Sequence, residues 1–218
     1  MISVVIRTLN EVKSLDRLLK ILSYQSIKHE VIVVDSGSTD GTIEVAKKYN
    51  TILTTCIPFT YGKALNVGVN ISKYNYVCFL SAHCFPINDN YLRTLLLNFN
   101  NDTVAGVYSK QLPIEESNFV DKRNLYAIFR DEKISQTKDP FFNNASSIIR
   151  KDIWETYKFD ESIEAWEDIK WAKQVQSKGY KIIYEPETAV HHYHIEDPNK
   201  TLDRYKKEYD ALEKIYNE

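Results

Sequence analysis

Four polar clusters stand where apolar runs end: Thr8-Leu9-Asn10-Glu11, the run from Asp35 through Ser36 and Gly37 to Thr42, the stretch from Tyr61-Gly62-Lys63 to Asn66, and Ser81-Ala82-His83-Cys84. In an open parallel sheet, bound groups gather at the carboxyl ends of strands, because the loops and helix N-termini there are free to face them. Asp35 closes an uninterrupted apolar run. Its carboxylate is expected at the sheet edge, with oxygens available to accept from a base or a ribose. The turn residues and helix caps that follow also suit an ordinary strand-turn-helix corner that needs no ligand. No Gly-Lys-Ser/Thr loop and no GxGxxG is present, which argues against a P-loop enzyme and a dinucleotide dehydrogenase.

In the later half, Trp166-Glu167-Asp168 opens a helical pattern in which Trp171, Ala172 and Val175 follow Asp168 at i+3, i+4 and i+7. Asp168 therefore shares the apolar stripe. A carboxylate there is costly unless it is paired or faces a cleft, and desolvation makes it a stronger base. An acid in a first turn also favours the helix dipole by about 0.3–1 kcal/mol with no function at all; the inward phase favours catalysis. His191-His192-Tyr193-His194 follows a predicted strand. If extended, it sets His192 and His194 on one face, a spacing that suits a cation or a phosphate. Spacing does not choose between the two, and loop histidines are the competing account for them and for His83. Trp166 is suited to stack on the apolar face of a bound ring, although most of the aromatic residues are expected in the core.

Together these segments resemble the family 2 glycosyltransferases, which have the GT-A fold and transfer a sugar from a nucleotide diphosphate donor with inversion. The likeness is carried by Val4-Val5-Ile6-Arg7-Thr8-Leu9-Asn10-Glu11, Val33-Val34-Asp35-Ser36-Gly37-Ser38-Thr39-Asp40-Gly41-Thr42, Gly62-Lys63-Ala64-Leu65-Asn66-Val67-Gly68, Phe79-Leu80-Ser81-Ala82-His83 and Trp166-Glu167-Asp168. It implies a nucleotide-sugar site made by Thr8, Asn10, Glu11, Asp35, Ser36, Lys63, Asn66, Ser81 and His83. Within it Asp35 meets the base, Lys63 lies near the donor, and Asn66 holds the loop or the ribose. Asn144 and Trp166 fall on the acceptor side. Asp168 becomes the general base and Glu167 its neighbour that binds or orients the acceptor.

The sequence departs from the family where Ser81-Ala82-His83 replaces the usual Asp-x-Asp. That motif binds a divalent cation that neutralises the departing diphosphate. A cation, Mn²⁺ or Mg²⁺, then falls to His83, His192 and His194, nitrogen ligands that shift preference toward Mn²⁺. Two rivals follow: a catalytically inactive sugar-nucleotide-binding or scaffold subunit, and a nucleotidyltransferase, which the lack of a Gly-rich loop after the first strand disfavours.

The elements that must position these residues read as α/β. Apolar runs at 4–6, 31–34, 52–53 and 76–80 alternate with helical patterns at 15–22, 42–49 and 64–71, which implies a mostly parallel sheet with helices on both faces. A helix at 91–99 and a strand at 104–108 follow, and then the alternation breaks. The segment from Lys110 to Pro140 reads as an insertion over the sheet carrying a helix near 118–129. A strand at 147–149, helices at 151–156 and 168–178, a strand at 181–184 and a terminal helix from about 201 complete the chain. One GT-A domain is expected, with a nucleotide-sugar-binding half at 1–110, an acceptor-binding half at 111–198 and a C-terminal helix at 199–218.

The chain has 218 residues with 43% hydrophobic and 27% charged positions, enough for a core and too apolar for disorder. A formal net charge of −2 gives no general attraction to nucleic acid, which is not expected as a partner. The start lacks a secretory signal, the uncharged run from Tyr74 to Asn88 is too short and polar to span a bilayer, and the three cysteines have no CxxC spacing. A cytoplasmic protein is expected. By resemblance its partners are a nucleotide diphosphate sugar and a glycan or lipid-linked glycan acceptor, with peripheral attachment at the inner face of the cell membrane. The terminal helix is expected to pack on the domain or on a second copy as a homodimer.

Overall fold

Val4, Val5 and Ile6 have no exposed surface because β1 (Ile2–Thr8) runs between β2 (His29–Asp35) and β4 (Tyr76–Ser81), parallel to both. A computed structural model describes residues 1–193 and 198–217. Successive β1 side chains enter opposite layers, Val4 and Ile6 one core and Val5 the other, which is why the run is continuously apolar. β3 (Ile52–Thr55) extends the parallel edge beyond β2. On one face α1 (Val12–Leu22) buries Leu15, Leu18, Leu19 and Leu22, the stripe expected from their spacing, and α2 (Thr42–Lys48) packs beside it.

The opposite face is covered by α3 (Tyr61–Ile71), which approaches so closely that a Cβ on Gly68 would lie 2.3 Å from Val5 Cγ1. Gly68→Ala is therefore expected to destabilise the protein by about 1–3 kcal/mol through overpacking. Urea unfolding would read this directly, and a loss below about 0.5 kcal/mol would mean that α3 and β1 separate easily.

Beyond β4 the sheet becomes mixed, with the strand order β3-β2-β1-β4-β8-β6-β9-β5 and β7 paired to β9. β5 (Cys84–Pro86) follows β4 at once, and α4 (Tyr91–Leu96) leads to β6 (Val104–Leu112). The segment read as an insertion supplies the helix expected in it, α5 (Phe119–Ile128), and also an edge strand that was not expected, β7 (Ile134–Gln136). β8 (Ser146–Arg150) is antiparallel to both β4 and β6. After α6 (Lys151–Thr156) and α7 (Glu167–Gln176) comes β9 (Lys181–His192), parallel to β6 and continued past its apolar start through an irregularity at Ser109/Lys110.

The last element is α8 (Pro198–Asn217). It packs onto the domain: Tyr205 donates to Asp121 at 2.8 Å, Arg204 pairs with Asp121 at 3.4 Å, and Lys173 Nζ donates to the Ile215 carbonyl at 2.8 Å. Among the described residues no helix is long and apolar enough to cross a membrane.

Candidate active site

Parallel pairing puts Thr8 opposite Asp35 and Arg7 opposite Ser81, so the carboxyl ends of β1, β2 and β4 form one rim. Asp35 is completely buried there. Its Oδ2 accepts from the Gly37 and Ser38 backbone N–H groups at 2.8 and 2.9 Å, so one oxygen is spent on its own turn. The other, Oδ1, is buried without a hydrogen-bond partner, and so are Thr8 Oγ1 and Ser36 Oγ beside it. Leaving such atoms unsatisfied costs about 1–3 kcal/mol each. Three adjacent orphans on one rim are what a polar ligand would satisfy.

Asn10 and Glu11 shape this rim from the loop between β1 and α1. Asn10 has φ of 53°, a left-handed conformation that asparagine tolerates, and its Oδ1 accepts from Thr39 N at 2.8 Å, joining the two loops. Glu11 begins α1 with its N–H on Thr42 Oγ1 at 2.9 Å, and its carboxylate meets His83 Nδ1 at 2.6 Å. His83 stacks on His192 with ring centroids 5.2 Å apart, and His192 Nδ1 lies 2.6 Å from Gln111 Oε1. The pairing of β5 with β9, Cys84 opposite His192, brings the two imidazoles together. His194 lies outside the described residues.

A cleft of about 510 Å³ opens beside this rim. Ser81, His83, His192, Trp166, Glu167 and Asp168 all line it, together with Arg7, Tyr61, Ala145 and, from α8, Asp203, Arg204 and Lys207. Asp168 is 7% exposed; Oδ2 accepts from Asn144 N and Oδ1 from Ile169 N, each at 2.9 Å. Burial, reinforced by the charge of Glu167, outweighs these hydrogen bonds and pushes the Asp168 carboxyl up to about 8. Burial likewise raises Glu167, against the pull of Arg7. A carboxylate poised near neutrality within a cleft is suited to take a proton.

Arg7 was absent from the expected site residues, yet its guanidinium lies 3.5 Å from Glu167, 3.5 Å from Ser81 Oγ and 5.0 Å from the Tyr61 ring centroid. Its signal in the sequence was a single cation closing the apolar run Val4-Val5-Ile6, the position that Asp35 holds in the next strand. Tyr61 stood in the cluster that opens α3, whereas the contribution of α8 had no such local signal.

Among the described residues, no three His, Cys, Asp or Glu side chains converge as a metal group. Ser81 offers a hydroxyl where a carboxylate would bind a cation, and that hydroxyl faces the Arg7 guanidinium. The Glu11 carboxylate beside the two imidazoles is paired with His83 Nδ1, and the Arg7 guanidinium faces Ser81, so the described side chains do not fit a divalent ion held by the protein alone.

Lys63, Asn66 and Asn144, also expected in the site, lie back from the cleft. Lys63 Nζ donates to the Pro58 carbonyl at 3.2 Å. Asn66 gives Nδ2 to Phe159 O and Glu161 Oε1 at 2.9 and 2.8 Å, and its Oδ1 accepts from Trp154 Nε1 at 2.8 Å and Phe159 N at 3.2 Å. It thereby anchors the segment that leads toward α7. Gly62 keeps the same segment close, since a Cβ there would lie 2.2 Å from the Asp160 carbonyl. Asn144 is buried, with Oδ1 accepting from Ser147 Oγ at 2.9 Å and Nδ2 left without a partner. Trp166 caps α7 with φ of 63°, a costly conformation for a bulky side chain, held at the cleft wall.

The profile of Glycosyl transferase family 2 matches residues 3–157. The O-antigen chain rhamnosyltransferase WbaN of Salmonella anatum is 30% identical over 189 residues, covering 81% of this chain and 60% of that protein. Among solved structures, S. aureus TarS 1-349 in complex with UDP superposes with a TM-score of 0.73 at 19% identity, covering 98% of this chain and 64% of the other. The mannosyltransferase PcManGT from Pyrobaculum calidifontis, in complex with GDP-Man and Mn²⁺, gives a TM-score of 0.68 at 20% identity over 88% and 56% of the two chains. The chain thus spans under two thirds of the length of each of these three proteins. The structural likenesses establish the GT-A fold.

Proposed function

The chain belongs to the family 2 glycosyl transferases, and we propose on that premise that it moves a sugar from a nucleotide diphosphate donor to an acceptor hydroxyl, with inversion, in surface-polysaccharide or glycoconjugate assembly. The observation that carries this reading is the convergence of a buried acid from α7 with the rim of the parallel strands across one cleft. In it the half at 1–110 receives the donor and the half at 111–198 the acceptor. The nucleoside is met by the orphaned atoms of Thr8, Asp35 and Ser36, while Asn10 and Glu11 hold the surrounding loops. Lys63 and Asn66 act from behind, through the 58–66 and 154–161 segments they fasten.

Attack is a single displacement. Asp168 takes the proton as the acceptor oxygen bonds to the anomeric carbon, and the bond from that carbon to the phosphate oxygen breaks. Glu167 and Asn144 orient the acceptor side, and Trp166 offers a stacking face. Positioning and charge stabilisation supply most of the acceleration. His83 and His192, each held through Nδ1, line the cleft and would meet a donor phosphate or a cation that the donor itself carries. The relative's role as an O-antigen chain rhamnosyltransferase supports a glycan or lipid-linked glycan acceptor, and with it a cytoplasmic protein working at the inner membrane face.

The test is a panel of nucleotide sugars with glycan acceptors, scored by release of nucleoside diphosphate in Mn²⁺, in Mg²⁺ and in chelator. Release with one donor supports transfer. Donor binding with no release from any acceptor would favour an inactive binding subunit, the reading that the loss of Asp-x-Asp keeps in play.

A further inference from the structure

We propose that Arg7 is a catalytic residue that supplies, from the protein itself, the positive charge on the departing diphosphate that a carboxylate-bound cation would otherwise provide; this rests on the glycosyltransferase reading above. Its side chain is 11% exposed and lines the cleft. One terminal nitrogen, Nη2, points to Ser81 Oγ; the other, Nη1, lies 3.5 Å from Glu167 and has no hydrogen-bond partner although it is buried. A largely buried guanidinium with an unsatisfied donor in a cleft is a strong anion site. The Tyr61 ring at 5.0 Å holds the guanidinium in place.

Ser81 explains why that charge is available. An aspartate at this position, 3.5 Å from Arg7, would pair with the guanidinium and spend it. Serine accepts only a weak hydrogen bond, so the acid left beside the guanidinium is Glu167, at 3.5 Å without a hydrogen bond to Nη1 and with its charged form disfavoured by burial, a partner that a diphosphate can displace. When the anomeric carbon–oxygen bond breaks, its electron pair moves onto the phosphate oxygen of the nucleoside diphosphate while the acceptor proton passes to Asp168. The diphosphate gains one negative charge, and the N–H groups of Arg7 are fixed donors for it.

The experiment is calorimetric titration of UDP, GDP and dTDP, and of uridine, guanosine and thymidine, into the chain in EDTA. The native protein is expected to bind one diphosphate with chelator present. Arg7→Gln should weaken that diphosphate by about 30-fold and leave the matching nucleoside within twofold, while Arg7→Lys, which keeps a charge, should lose less than about fivefold. Ser81→Asp retains Arg7 and neutralises it, so diphosphate binding in EDTA should fall by about tenfold even if the Arg7 variants fold poorly. Equal affinities for native and Arg7→Gln protein, a parallel loss for diphosphate and nucleoside, or native binding abolished by EDTA would overturn the assignment and leave the family reading standing. If no diphosphate binds the native chain, the donor reading fails and the assignment fails with it.

Discussion

Asp168→Asn is expected to lower kcat by about 10³-fold while leaving nucleoside diphosphate affinity within twofold, the range lost when a general base is removed from a positioned substrate. The amide oxygen can still accept from one of the two N–H groups, Asn144 or Ile169, that hold the carboxylate now, and its NH₂ faces the other, so the side chain keeps its size at a local cost and loses its basicity. Since the native carboxyl is pushed up to about 8 by burial and by Glu167, kcat/KM should climb with pH through that region and level off above it. A profile already flat from pH 6 would show an ordinary carboxylate. Undiminished turnover in the variant would remove Asp168 from the reaction.

The same substitution has a stability signature of definite sign. With its carboxyl raised, the folded protein holds a proton that the unfolded chain releases near the ordinary value of 3.8. Stability from this group is therefore complete below about pH 4 and is lost as the pH rises through about 8. An amide never ionises but opposes one N–H group with its NH₂, so Asp168→Asn should melt below the native protein at pH 5 and by clearly less at pH 8, where the native protein has lost the contribution of this proton. A difference in melting temperature that stays the same from pH 5 to pH 8 would indicate that the acid is well solvated.

Much of this was legible before any coordinates, and for definite reasons. A strand buried on both faces must be apolar throughout, so β1, β2 and β4 announced themselves, and Asp35 stood out as the first polar residue after one of them. The helical phase of Asp168 relative to Trp171 and Val175 foretold its burial. What the pattern does not contain is pairing between distant segments. β5 is three residues long, too short to have a period, yet it alone sets His192 against His83. Glu11 was expected to face the nucleoside and turns its carboxylate to that histidine, because the loop containing Asn10 is tied to the one after β2. Asn66 was expected to hold the loop or the ribose; its hydrogen bonds go to a segment some ninety residues away in sequence, which only the packing of α3 against the chain before α7 brings near.

Asp35→Asn separates the nucleoside from the diphosphate in the proposed site. The asparagine oxygen can replace Oδ2 in accepting from Gly37 and Ser38, which preserves the turn and directs the NH₂ group to where Oδ1 now lies without a partner. An acceptor bearing negative charge thereby becomes a neutral donor facing whatever donated to it. Losing a charge-assisted hydrogen bond and opposing two donors costs about 3 kcal/mol, or about 100-fold in affinity. Because the lost contact is to base or ribose, nucleoside and nucleoside diphosphate should weaken together, the opposite of the selective loss expected at Arg7. Titration of both ligand classes into both variants distinguishes the two. If Asp35→Asn bound both as the native chain does, Oδ1 would face only water and the nucleoside would have to sit elsewhere along the rim.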